Sequence, residues 1–283
     1  MSSSSKKVIS LLLACSIICI SLLAYNSDKK AIKALGKNSN LKKSATCMNN
    51  SNNLSTKEYN WYFKHVANGK PPLGQPETAD FIGKYDTHFL GDSSKKVIYL
   101  TFDEGYENGY TAPILDVLKK HNVKAAFFVV QPYIKSNPDL IKRMVNEGHL
   151  VCNHSHHHPS MASIHDQNKF NKELSDVEES FESLTGKKMP KYFRPPMGKY
   201  SEQSLSYTQQ YGYKTIFWSF AYADWDPKKQ PSHEYAKKKI LDKTHNGAIM
   251  LLHAVSKTNS EILDDILTQW EKQGYEIRPL SDI

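Results

Sequence analysis

The chain has 283 residues, 39% hydrophobic and 23% charged, which excludes an intrinsically disordered chain and a polytopic membrane protein. Four cysteines, none spaced as CxxC, exclude a disulfide scaffold and a zinc ribbon. The net charge of +8 suggests nucleic acid only until it is located. Residues 1–57 hold nine lysines and one acid, Asp28, while residues 58–283 carry 28 basic and 28 acidic groups. A neutral body loses the main support for nucleic-acid binding, and none is expected.

In chain order, Lys6 and Lys7 precede an apolar run from Val8 to Tyr25. As a helix it would reach about 27 Å, just short of the ~30 Å hydrocarbon core. Residues 1–25 therefore read as a secretory signal or an uncleaved membrane anchor, and the lack of a good A-x-A site favours the anchor. Leu12–Leu13–Ala14–Cys15 resembles a lipoprotein box, but the apolar run continues past Cys15. Residues 26–57, rich in Lys, Ser and Asn, predict a linker. Its lysines lie on the wrong side for export by the positive-inside count. Export is still expected, because large domains cross despite flanking charge. The same lysines would be drawn to an anionic membrane or wall polymer.

Residues 58–95 read as an N-terminal extension packing on a domain that fills residues 96–283. That domain alternates short apolar runs with helical patterns. Strands are predicted at Val97–Phe102, Ala125–Val130, Leu150–Cys152, Tyr192–Phe193, Thr215–Phe220, Ala248–Leu252 and Tyr275–Ile277. Helices are predicted at Pro113–Lys120 and Pro138–Asn146. Phe170, Leu174, Val177, Phe181 and Leu184 form the stripe of a third, closed by Gly186. Ile262, Leu263, Ile266, Leu267 and Trp270 line a fourth. Such alternation implies parallel strands with helices outside, an α/β class, and six or more units suggest a distorted (β/α) barrel. Chemistry in such barrels sits at the C-terminal ends of the strands.

Polar residues cluster at those ends. Asp103 and Glu104 follow the first strand, and His154, His156, His157 and His158 follow the third. Arg194 and Met197 follow the fourth, Asp224 and Trp225 the fifth, and His253 the sixth. Each has a bland alternative. Asp-Glu after a strand is usually a cap, and clustered histidines are often a solvated tract. A histidine after an apolar strand is more often a satisfied core residue. Trp218, Phe220, Tyr222 and Trp225 are more often packing than sugar platforms, and Cys152 is most simply a small buried hydrophobe. His154 and His158 are four apart, but Pro159 disfavours a helix there and predicts a turn. Joint occurrence in register with five strand exits outweighs the separate priors and reads as an inventory for metal-assisted hydrolysis.

TFDEGYENGYT at 101–111, HSHHHP at 154–159, RPPMG at 194–198, DW at 224–225 and LLHAVS at 251–256 resemble the five ordered motifs of the polysaccharide deacetylases, the NodB-homology proteins of carbohydrate esterase family four. WYFKHVANGKPP, KYDTHFLGD, RPPMGKYS and FWSFAYADWD further resemble the delta-lactam-biosynthetic de-N-acetylases of spore cortex. The resemblance implies a distorted barrel that hydrolyses N-acetyl groups of cell-wall sugars. For this branch the substrate is N-acetylmuramic acid stripped of its peptide, and the product closes to muramic δ-lactam. It implies peptidoglycan strands as partner, a divalent metal, normally Zn²⁺, as cofactor, and a monomer facing the wall from the membrane.

By the same resemblance Asp103 is the general base, Arg194 its orienting partner and His253 the general acid, with Asp224 its acidic partner. His154 and His158 are metal ligands. Glu104 stands where the family's third ligand is an Asp, and its extra methylene makes a two-histidine site an alternative. Met197 would serve through its backbone N–H, with Tyr222 and Trp225 near the substrate. Two rival readings stand: an N-acetylglucosamine deacetylase of peptidoglycan or chitin, and an inactive glycan-binding relative.

Overall fold

The computed structural model describes residues 54–66 and 69–283. The segments read as anchor and most of the linker lie outside the described residues. Among the described residues no helix is long and apolar enough to cross a membrane.

The chain enters through β1 (Tyr59–Asn60) and β2 (Thr87–His88). The centre is β3 (Val97–Glu104), with all eight residues buried. A strand buried on both faces reads as a continuous apolar run, which is why no alternation marks it in the sequence. β3 pairs in parallel with β4 (Ala126–Val129) and, on its other side, with β9 (Ala248–His253). From β4 the sheet continues in parallel through β5 (Leu150–Asn153), β6 (Tyr192–Phe193) and β8 (Lys214–Ile216). A parallel bridge between Phe220 and Met250 joins that end to β9. The Leu251 N–H donates to the Phe220 carbonyl there at 2.9 Å. The sheet thus curls into a distorted barrel whose weakest seam is this junction.

Strand alternation sorts β3 into two cores. Ile98, Leu100 and Phe102 face the outer helices and pack with Ile114, Leu115, Leu118, Ile262 and Leu263. Val97 and Tyr99 face the barrel interior with Phe128, Cys152, Ile216 and Ile249. Each large apolar side chain removed from water contributes about 1.5–3 kcal/mol, so this layer and not helix propensity holds the helices in place. The predicted helix around Phe170–Leu184 spans Gln167–Thr185, capped by Asp166 and ended by Gly186 in the left-handed region. The one carrying Ile262–Trp270 spans Lys257–Lys272, with Ser256 as its cap.

One expectation fails in detail, and two helices were not expected. Thr215–Phe220 is a strand only as far as Ile216. Beyond it, the carbonyls of Ile216 and Phe217 turn to the Arg194 guanidinium at 3.1 and 3.3 Å instead of a ladder partner. The helix Glu202–Gln210 was not legible, because Gln203, Ser204, Ser206 and Thr208 are buried with only Leu205 and Tyr207 as large apolar contacts. No apolar stripe exists for periodicity to find. The helix His233–Asp242 escapes for a similar reason, burying only Ala236 and Ile240.

The extension is tied to the barrel at several points. β1 pairs antiparallel with β7 (Lys199–Tyr200), and β2 pairs in parallel with β8. Gly247 accepts from the Gly91 N–H at 2.8 Å and donates to the Val97 carbonyl at 2.9 Å. Its φ is 72°, and a Cβ there would lie 2.8 Å from the Gly91 carbonyl oxygen. Gly247→Ala should therefore cost about 1–3 kcal/mol of stability, read as a lower urea midpoint. An unchanged midpoint would show that this contact does not hold the extension.

Candidate active site

Asp103 and Arg194 form the centre of the site. Thr101 and Asp103 continue the inward-facing set of β3. Arg194 leaves β6, is 0% exposed, and donates through Nη1 to Asp103 Oδ1 at 2.7 Å. Three further donors are used as well. Nε reaches the Ile216 carbonyl, and Nη2 reaches Thr101 Oγ1 at 2.9 Å and the Phe217 carbonyl. Its guanidinium lies 4.2 Å from the Phe128 ring centroid. Burial pushes the Asp103 carboxyl up, but Arg194, with His154 and His253, outweighs burial and holds it below the ordinary carboxylate value. Asp103 is thus ionised, with Oδ2 not taken by Arg194.

The histidine tract divides. His154 and His158 line one cavity of about 530 Å³, with ring centroids 4.9 Å apart. The turn that brings them together has Ser155 and His158 at φ 70° and 59°, and Ser155 Oγ accepts the His158 N–H at 3.0 Å. No helix forms there. His154 Nδ1 meets the Arg194 carbonyl at 2.8 Å, which places the proton on Nδ1 and leaves Nε2 as a lone pair, 3.6 Å from Asp103 Oδ2. Burial drives His154 down to about 4 and lowers His158 too, so both imidazoles are neutral at neutral pH. His156 and His157 stack on each other and pair with Asp176 and Glu173 at 2.8 Å each, outside the cavity.

Glu104 does not join the histidines. Adjacent residues of a strand face opposite sides, so with Asp103 inward Glu104 points into the helix layer. It is 0% exposed, both carboxylate oxygens lack a partner, and its electrostatic neighbours are Glu107, Asp103 and Tyr133. Burial raises its pKa well above the usual range, with Glu107 and Asp103 adding to the effect. The period-two signal was already present in the sequence, once β3 is seen to run through 104. Among the described residues no group of three His, Cys, Asp or Glu side chains closes a metal cluster. The donor chemistry still suits a divalent cation held by two neutral imidazoles, with its other positions open to water and substrate oxygen.

Across the cavity, His253 ends β9. Its Nδ1 pairs with Asp224 Oδ1 at 2.7 Å, and its N–H donates to Asp224 Oδ2 at 2.9 Å. Burial works against a charged ring, but Asp224, helped by Asp103, raises the pKa above the ordinary imidazole value. Met197 sits at φ 58° on the cavity wall, followed by Gly198, where a Cβ would come within 2.9 Å of the Trp218 ring. Trp225, 57% exposed, stands 6.1 Å from the His253 ring in a T-shaped contact. Tyr222 presents its ring to the cavity while its hydroxyl donates to Asn259.

Several partners were missed from sequence. Asn259 contacts Asp224, His253 and Tyr222. Its only local mark is its place three residues after the cap Ser256. Thr101 links Arg194 to the Met250 carbonyl. Tyr106 lines the cavity and is exposed. Cys152 is buried in the barrel interior, and burial pushes its thiol up, so it is inert packing.

Glu104 makes a testable difference. A carboxyl with a raised folded pKa gives full stability below its unfolded pKa and loses it as pH rises toward the folded value. Glu104→Leu should therefore flatten the fall in urea midpoint as pH rises above the ordinary glutamate value, removing up to about 1.4 kcal/mol per pH unit. Divalent-metal content should stay at the wild-type level in Glu104→Leu and drop in His154→Ala. A parallel loss of metal from both variants would place Glu104 at the metal.

Similarity to known proteins extends over most of the chain. The signature of the polysaccharide deacetylase family matches residues 90–216. The peptidoglycan-N-acetylmuramic acid deacetylase PdaA of Bacillus subtilis is 46% identical over 224 residues, covering 79% of this chain and 85% of that protein. The solved structure of B. subtilis PdaA, a family 4 carbohydrate esterase, superposes with a TM-score of 0.78 at 44% identity, covering 81% of this chain and 97% of that one. A peptidoglycan-N-acetylglucosamine deacetylase of Bacillus cereus is 31% identical over 198 residues, covering 69% and 70%. With similarity of this extent, the chain belongs to the polysaccharide deacetylase family, the family 4 carbohydrate esterases.

Proposed function

We propose that this protein hydrolyses the N-acetyl group of peptidoglycan amino sugars, with N-acetylmuramic acid lacking its peptide as substrate. One observation carries the reaction: an ionised carboxylate, Asp103, and a protonated imidazole, His253, face a single cavity, each tuned by its own buried partner. The choice of sugar draws on the similarity to PdaA, which extends over most of that protein.

His154 and His158 would hold a divalent cation, zinc in this reading, which supplies a Lewis acid for the acetyl oxygen and a more acidic water. The protein's own steps follow from the geometry. Asp103 accepts the proton of the attacking water at Oδ2, because Oδ1 is committed to Arg194. The acetyl carbonyl becomes tetrahedral, and we assign its oxyanion to the Met197 N–H on the cavity wall. His253 holds one proton on Nδ1 against Asp224 and gives the other, from Nε2, to the sugar nitrogen as the C–N bond breaks. Acetate and a free amine leave. On a muramic residue that amine can condense with the lactyl carboxyl of the same sugar, the carboxyl C–O bond breaking with loss of water, to close a six-membered lactam, which fits a role in spore cortex. The substrate lies outside the cytoplasm, so the reading includes export, with residues 1–25 as signal or anchor.

Variants at Asp103 and His253 should be damaged unequally. Asp103→Asn should lower kcat by about 10²–10⁴ and also cost about 3 kcal/mol of stability, since it leaves Arg194 buried without a counter-charge. His253→Ala should cost similar activity with a smaller loss of stability, because Asp224 keeps its bonds from the His253 and Asn259 N–H groups. Near-normal acetate release from either variant would remove that residue from the mechanism.

The substrate is tested by mass spectrometry of peptide-free glycan strands and of intact peptidoglycan after treatment with the zinc-supplemented protein. Loss of one acetyl per muramic residue, only from peptide-free strands, is expected. Loss from glucosamine residues would favour the second reading, supported by the similarity to the B. cereus enzyme. No acetate from any glycan, with binding retained, would leave a glycan-binding protein.

A further inference from the structure

His253 delivers its proton to one place only if its ring keeps one orientation, and the side chain that enforces this is Asn259. Asn259 lies near the start of the helix Lys257–Lys272 and is 1% exposed. Its Nδ2 donates to Asp224 Oδ2 at 2.6 Å and to the His253 carbonyl at 3.1 Å. Its Oδ1 accepts from the Tyr222 hydroxyl. These neighbours settle which end of the amide is which. The end facing a carboxylate and a carbonyl must be the NH₂, and the end facing a phenol can be the oxygen.

Asp224 is thereby committed at both oxygens. Oδ1 faces the His253 ring, while Oδ2 takes the His253 N–H and the Asn259 amide. Both side chains are buried, so water cannot replace a lost donor. A cap role does not account for these bonds. The cap at Ser256 uses the Asn259 backbone N–H, at 3.1 Å, which any residue except proline would provide. Three side-chain hydrogen bonds remain, and all of them end on the proton donor, its acidic partner or a ring of the cavity wall.

We propose that Asn259 is a positioning residue for the proton donor: it locks Asp224 against His253 and ties both to Tyr222 on the cavity wall. The catalytic part of this claim rests on the deacetylase reading. The charged and titratable groups acting on His253 are Asp224, Asp103, Arg194 and His158. Asn259→Asp keeps the shape and the acceptor for Tyr222, but sets a second carboxylate against Asp224. Asn259→Leu keeps the bulk and removes the donor without adding charge.

The test uses the full-length, zinc-supplemented protein in wild-type form and in both variants. Acetate release is measured against pH on peptide-free glycan, and the His253 ring is titrated by NMR without substrate. In both variants kcat should fall about tenfold or more while KM stays within about twofold. The alkaline limb of the profile and the His253 midpoint should move to higher pH, by about half a unit or more in Asn259→Asp, as negative charge near the ring is less compensated. Asn259→Leu decides the matter if the Asp variant does not fold. A purely structural role would lower the unfolding midpoint yet leave the limb and the His253 midpoint at their wild-type positions, and that result overturns the proposal. So does a kcat within about twofold of wild type in both variants. If the wild-type protein releases no acetate, the deacetylase reading fails instead, and the ring titration still decides whether Asn259 governs His253.

Discussion

A guanidinium with no exposed surface sits inside the barrel, and its charge is balanced by one carboxylate, Asp103. Taking such a charge out of water is costly, and the cost is offset by hydrogen bonds and a counter-charge. Arg194 places four N–H bonds on two strands: Asp103 and Thr101 from β3, and the carbonyls of Ile216 and Phe217 at and beyond the end of β8. The same bonds end the β8 ladder early and leave the chain irregular towards the Phe220–Met250 seam. The distortion of the barrel and the ionised state of Asp103 therefore have one origin. A regular eighth-strand closure would compete for the carbonyls that hold Arg194.

The opposite side of the cavity repeats the logic with reversed sign. Asp224 is buried and takes three donors, two of them from His253, so the ring's pKa is held above the ordinary imidazole value where burial alone would lower it. Two proton-handling groups thus sit in one cavity with pKa values pushed apart, one below and one above the ordinary value for its type. Neither shift comes from the residue's own neighbours in sequence. Each comes from a partner at least 29 positions away.

The N-terminal extension belongs to the same unit. Trp61 donates through its backbone to the Gly198 carbonyl at 2.8 Å and through its indole to the Trp218 carbonyl at 2.9 Å. It stacks on Phe217 with centroids 4.6 Å apart. Met197 and Trp218, both on the cavity wall, are thus braced from outside the barrel, and the left-handed Met197 is held between Arg194 and this brace. Strain of that kind persists only where the surroundings over-determine it.

Much of this was legible in the linear order of residues. Alternating apolar runs and stripes sufficed for the α/β class and most helices, because burial of one face leaves a periodic trace. Strand ends marked by Asp103, His154, Arg194, Asp224 and His253 sufficed for the reaction class, because parallel strands deliver their ends to one side. What periodicity could not supply was partnership. The outward turn of Glu104 depends on β3 staying extended through its last residue, and the helix Glu202–Gln210 is buried through polar groups that leave no stripe. The bonds of Asn259 to Asp224 and of Trp61 to Gly198 join residues 35 and 137 positions apart. Local sequence determines which backbone shape each segment prefers, since that is governed by neighbours along the chain. Only the closed fold decides which buried charges and hydrogen bonds meet, since removing water from a group makes its one remaining partner in space control its charge.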